Sequence, residues 1–420
     1  MKKRYILALV AFLVAVSFVY AGGKQESVSG PKVYKLGIMT SLSGTFAAVA
    51  ETQKAAILLA VEQKNQQGGL SMPWGKVKVE TSIKDDEAKL DVGIRRFREL
   101  QQEGIHALVG TVWNPMAAAL NEEMKITPMP YLAACVPALD SFKKGNPAVA
   151  TYSVAFTPWS IGYLAGASSI NKLGKKKIFF LARSDSWGRT IFDGVKAATE
   201  KYGGEIVGYA EAPLGTVDFS AIIRKAMDTK PDIFMASQFA GDAIAVIKQA
   251  YDMGLFNVTT VFNTWITSVV ARGIPDAALS QVYALMYHYH DLSGLGDPEV
   301  EKRTLEYRKA YEAMWKEPPD AYGSIAYVAT QTLFWAIEKA GSFDPAKVGA
   351  VLAATNPNNT IPTIKGDMYF RQDQQMVGKY LAFLVKGKAS SARKDKWDVF
   401  EVQGSFGGDE ALPSLQSLGY

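Results

Sequence analysis

The stretch "DFSAIIRKAMDTKPDIFMASQFAGDAIAVIKQAYDMGL", residues 218–255, decides how the chain reads. Asp218 stands where a helix N-cap belongs, and a helical pattern runs from it to Lys230. "PDIFMAS" (231–237) is a short apolar run with a turn signal in front of it, the mark of a buried strand. A second helical pattern runs over Asp242–Met253 and ends in Met-Gly-Leu. Helix, buried strand and helix in that order make one unit of a parallel sheet with helices on both faces.

The same alternation extends in both directions. Towards the N-terminus, "KKIFFLAR" (176–183) predicts a strand, Gly188–Tyr202 a helix and "EIVGYAEAP" (205–213) a strand. An earlier series predicts strands at Val33–Met39, Lys76–Ile83, "HALVG" (106–110) and "MPYLAA" (129–134), with helices over Ala47–Gln66, Ala88–Glu103 and Pro115–Lys125 between them. Towards the C-terminus come the strand "VTTVF" (258–262), helices near Pro298–Trp315 and Ser324–Ala340, and a hairpin of strands within 366–388. The fold class expected is α/β: two Rossmann-like, doubly wound parallel-sheet domains in series, with "TYSVAFTPWS" (151–160) as a crossing between them. Chains that cross between domains more than once make a hinge with a cleft.

The first residues read as an export signal. Lys2, Lys3 and Arg4 precede an apolar stretch from Ile6 to Val19, and Val19-Tyr20-Ala21 offers small residues for a peptidase. Cleavage after Ala21 is expected, with residues 22–30 as a polar leader. Loss of those three basic residues takes the formal charge from +5 to +2, which is no footprint for nucleic acid. The 48% hydrophobic and 21% charged content is that of an ordinary globular protein, and the length favours two domains. Cys135 is the only cysteine, so no internal disulfide forms.

Chemistry-bearing motifs are missing. Neither "LGKKK" (173–177) nor "GGKQES" (22–27) makes a Walker A loop, and "GIMTSLSG" (37–44) has the wrong spacing for a dinucleotide fingerprint. No Gly-x-Ser-x-Gly elbow occurs. "YHYHD" (287–291) puts His288 and His290 on one side of an extended chain, but no third metal ligand is nearby, and His106 begins a buried strand. Cys135 has no evident partner for nucleophilic catalysis. These readings predict no enzyme, no metal and no cofactor.

The strings "KLGIMTSLSGTFA" (35–47), "NQQGGL" (65–70), "IHALVGTVWNPMAAA" (105–119), "YLAACVPAL" (131–139) and the opening stretch occur in an order that resembles the periplasmic branched-chain amino-acid-binding proteins, the type I solute receptors of ATP-driven importers. The likeness runs over nearly the whole mature chain. It implies a hinge of three crossings, with one lobe of residues 31–156 and 288–361 and another of 157–287 and 362–420. It implies a small-molecule solute held between the lobes, a membrane permease as partner, and a monomer. A sensor of the same fold and, less readily, an exported hydrolase are the other readings.

The resemblance also assigns a site. The family grips a ligand carboxylate in the loop that here reads "GTVWNP", which puts Trp113 and Asn114 at the gripping positions. Ala133 offers backbone groups, Cys135 stands where a Thr usually binds, Val49 holds a position often aromatic, and Ser43 lies in the first turn with free N–H groups. The other lobe supplies Trp187, Phe239, Thr264 and Trp265, and Tyr322 lines the rim. One departure stands out: no Asp or Glu occurs between Asp252 and Asp276, where amino-acid binders place the partner of the ligand ammonium. Asp185 or Asp242 could replace it. Trp113, Trp159, Trp187 and Trp265 all fall in or beside cleft loops, and aromatic walls suit a flat or apolar solute. A carboxylate or amide with such a body is therefore expected over a branched-chain amino acid.

Overall fold

The computed structural model describes residues 29–420, so the export signal and its cleavage after Ala21 lie outside the described residues. The first sheet contains β1 (Val33–Thr40), β2 (Leu70–Met72), β3 (Gly75–Asp85), β4 (Ala107–Gly110), β5 (Tyr131–Ala133) and β6 (Thr151–Ser153). Their order across the sheet is β2-β3-β1-β4-β5-β6, and every neighbour pair is parallel except β2 with β3. The second sheet contains β7 (Lys177–Arg183), β8 (Glu205–Ala212), β9 (Ile233–Ala236), β10 (Thr260–Asn263) and β11 (Val282–Met286), all parallel. The fold is α/β with a parallel sheet in each of two domains.

The central strands are apolar because helices cover both of their faces. All four residues of β9 are buried, as are all but the first of β7. The opening stretch forms the expected unit, with one change at its start. The helix is Ser220–Thr229, its N-cap is Phe219, and Asp218 instead accepts a 2.9 Å hydrogen bond from the Ser220 N–H.

Two differences from the sequence reading bear on how the domains are built. A helix at Pro158–Ala167 follows the first crossing, capped by the Thr157 hydroxyl, which accepts from Ser160 N at 3.3 Å. It packs tightly on the helix Ser186–Tyr202. A Cβ on Gly162 would come within 1.8 Å of Ile191 O, and one on Gly194 within 2.0 Å of Trp159 O. The C-terminal tail is the second. Besides β12 (Ile361–Thr363), its strands are β13 (Gly366–Phe370), β14 (Met376–Gly378), β15 (Ala382–Gly387) and β16 (Phe400–Phe406). They do not make one hairpin. The first three form a small sheet, while β15 and β16 extend the second sheet antiparallel beside β11. The small sheet bridges to the first one through Ser153 and Gln375, and the expected boundary at 361/362 falls inside β12.

Both large sheets reverse their winding at a definite place. In the first, β1 lies between β3 and β4; in the second, β7 lies between β8 and β9. Helices leave opposite faces on either side of such a point, which opens a crevice at the C-terminal strand ends. The loops after β1 and β4, and after β7 and β9, supply the candidate site.

Candidate functional site

A small pocket lies between the two domains. The first domain lines it with Phe46, Val112, Trp113, Asn114 and Val136, and the helix Ala321–Ala340 adds Tyr322. The second domain contributes Arg183, Trp187 and Phe239. Phe239 joins the walls: its ring centroid lies 6.5 Å from that of Phe46 and 5.6 Å from that of Tyr322.

Each lining side chain is placed by local structure. Phe46 ends a short 3-10 turn, Gly44–Phe46, which leads into the helix Ala47–Gln66. Trp113 is the N-cap of the helix Asn114–Ile126 and gives it no side-chain cap. Val136 lies past the end of β5, in a segment that keeps the strand's alternation of sides. Tyr131, Ala133 and Cys135 point into the core beneath the helices Leu90–Gln102 and Asn114–Ile126, so the even positions point the other way. Arg183 is the last residue of β7, and its N–H donates to the Ser237 hydroxyl at 2.9 Å. Trp187 sits in the first turn of Ser186–Tyr202, and its Nε1 donates to Ser237 O at 3.0 Å.

Of the residues expected at the site, Trp113, Asn114, Trp187, Phe239 and Tyr322 come together around this cavity. Tyr322 is 3% exposed and forms part of the wall rather than the rim. Ser43 is exposed and its hydroxyl caps nothing. Val49 is buried in the core. Ala133, at the end of β5, and Cys135, two residues past it, are buried in the core beneath the covering helices, and burial pushes the Cys135 thiol pKa up. Thr264 and Trp265 are buried outside the lining, with Trp265 edge-on to Phe156 at 5.5 Å. Trp159 stacks on Tyr163 instead, at 5.0 Å.

In the first turn, two donors already have partners. The Leu42 N–H donates to Asp85 Oδ1 at 2.8 Å, and the Ser41 hydroxyl donates to Asp86. Two carboxylates already occupy those donors. Neither Asp185 nor Asp242 lines the cavity. Asp185 caps Gly188 N at 3.2 Å and holds Arg183 Nε at 2.7 Å. Asp242 accepts from Gly215 N at 2.9 Å, and burial raises its pKa.

Sequence reading missed Arg183, Phe46, Val112 and Val136. A readable signal existed for Arg183, because the last residue of a strand beside a winding reversal lies at the crevice. The lining therefore combines five aromatic rings with one cation and one amide, and none of the residues in it is acidic. Such a cavity can stack a flat body and bind a polar or anionic end. Among the described residues, no group of His, Cys, Asp and Glu is arranged to hold a metal ion.

Comparison with known proteins adds family context. A family model described as "Periplasmic binding protein" matches residues 33–391. The Leucine-, isoleucine-, valine-, threonine-, and alanine-binding protein of Pseudomonas aeruginosa is 24% identical over 350 residues, covering 80% of this chain and 85% of that one. An amino acid ABC transporter substrate-binding protein from Pseudomonas fluorescens superposes with a TM-score of 0.81 at 20% identity, covering 93% of this chain and 99% of the other. An R. palustris ABC-transporter solute binding protein in complex with benzoate gives 0.75 at 21% identity, covering 91% and 99%.

Proposed function

The chain belongs to the periplasmic binding protein family, and from that membership we propose that it is the exported solute receptor of an ABC-type importer. It captures a small organic solute between its lobes, delivers it to a membrane permease and catalyses no reaction. The mature protein begins at Gly22 after cleavage behind Ala21, and it works as a monomer. Membership implies a periplasmic location, and among the described residues no helix is long and apolar enough to cross a membrane.

The observation that carries this reading is the aromatic cavity at the facing strand ends of two domains. A ligand there touches both lobes, so contacts made only in the closed form drive closure. The absence of any acid in the lining favours a carboxylate or amide with a flat or apolar body over an amino acid, whose buried ammonium needs a counter-charge. Relatives include proteins named for branched-chain amino acids and a structure holding benzoate, so both classes belong in the test.

A thermal-shift screen of purified protein against amino acids, aromatic acids and their amides tests the proposal. At least one class should raise the melting temperature in a concentration-dependent way. A flat response across all three contradicts solute capture.

A further inference from the structure

Arg183 is 6% exposed, yet its guanidinium is only half used. Nε donates to Asp185 Oδ2 at 2.7 Å, and Asp185 is itself fixed as the cap of the helix Ser186–Tyr202. The guanidinium carbon lies 5.4 Å from the Trp187 ring centroid, within cation–π range. Among the described residues, neither Nη donates to a protein acceptor. The Nη edge therefore remains for a ligand in the cavity that Arg183 lines. Two parallel N–H groups match a carboxylate bidentately.

The opposite lobe presents a complementary end. Asn114 is 8% exposed and lines the same cavity as the first residue of a 13-residue helix. The partial positive charge of that helix end favours an anion, and the cap residue Trp113 supplies no acceptor for its N–H groups. Among the described residues, the Asn114 amide has no hydrogen-bond partner either.

We infer that Arg183 of one lobe and Asn114 with its helix end in the other clamp a single carboxylate, and that the solute is an aromatic monocarboxylate without an α-ammonium group. This rests on the solute-receptor reading and narrows it. Trp113, Trp187 and Phe239 cover the ring. An α-amino acid is excluded twice, because its ammonium meets a guanidinium and finds no acid. The anion bridges both lobes, so its charge itself favours the closed form.

Calorimetric titration of the full mature chain with benzoate, benzamide, phenylalanine and leucine decides the matter. Benzoate should bind roughly ten- to hundredfold more tightly than benzamide, the range for a charge-assisted pair. Phenylalanine and leucine should bind more weakly than benzoate. Arg183→Met should lower benzoate affinity by a similar factor and leave benzamide within about threefold of its former value. The wild-type comparison stands even if that variant folds poorly. Equal binding of acid and amide, an Arg183→Met protein that keeps its benzoate affinity, or no benzoate binding at all overturns the inference. Tight leucine binding indifferent to Arg183→Met overturns it too while leaving solute capture intact; only a flat response to the broader screen removes both.

Discussion

Trp187 is tied down twice, through Nε1 to Ser237 O and by the guanidinium over its ring. A ring so fixed loses little entropy when a flat solute stacks on it. Trp187→Ala should therefore weaken benzoate binding by roughly 1–3 kcal/mol in calorimetry, the range for burying a large side chain; an unchanged affinity would remove Trp187 from the site. The two histidines of "YHYHD" make a different prediction. His290 is 2% exposed, and burial, then the Arg308 charge, lowers its pKa to about 4. His288, held between Ser324 and Thr304, is lowered well below its ordinary value by burial, then by Lys365. Both are neutral when folded and protonate more readily when unfolded. The His290 stabilisation is whole above about pH 6.5, is lost as the pH falls toward about 4 and amounts to about 3 kcal/mol; that of His288 is lost in the same direction. Denaturant titrations from pH 7 to pH 4.5 should show this loss, and His290→Gln should reduce the slope. A flat profile would contradict neutral burial. At this scale the sequence was half legible. Aromatic residues in loops announced themselves, whereas "RSDSWG" gave no way to tell which polar residue turns inward. Strand parity, which sends Cys135 into the core and Val136 to the cavity, needed the register.

Among the elements, the helix pair Pro158–Ala167 and Ser186–Tyr202 supports the Trp187 wall. Its close crossing depends on Gly162 and Gly194, since a side chain at either meets opposing backbone that has no room to give. Gly162→Ala should lower stability by roughly 1–3 kcal/mol in a urea titration, the cost of overpacking; no change would mean the helices part without penalty. The parallel strands were readable because burial on both faces writes them as continuous apolar runs. The helix Pro158–Ala167 was not, because Ser160 is its one clearly polar residue, which leaves no polar stripe to set a period, and nine of its ten residues are buried. The tail misled for another reason. Its strands alternate as a hairpin does, but β13 and β14 pair with each other while β15 finds a better partner in β11. That choice is made by tertiary packing, which local pattern does not record.

For the whole molecule, two winding reversals face each other, and that arrangement was foreshadowed by the repeated strand–helix alternation. Tyr287, just past β11, donates its hydroxyl to Val154 O, just past β6, at 3.1 Å and so ties the exits of the two sheets together. Further along the lobe boundary, Asp320 caps the helix Ala321–Ala340 and also accepts from Val269 N at 3.0 Å. The central claim is that a small organic anion is captured by closing the lobes on it. Small-angle scattering of the mature protein, alone and saturated with benzoate, tests that claim most directly. The account requires a smaller radius of gyration in the bound state; superimposable profiles at demonstrated saturation would contradict it.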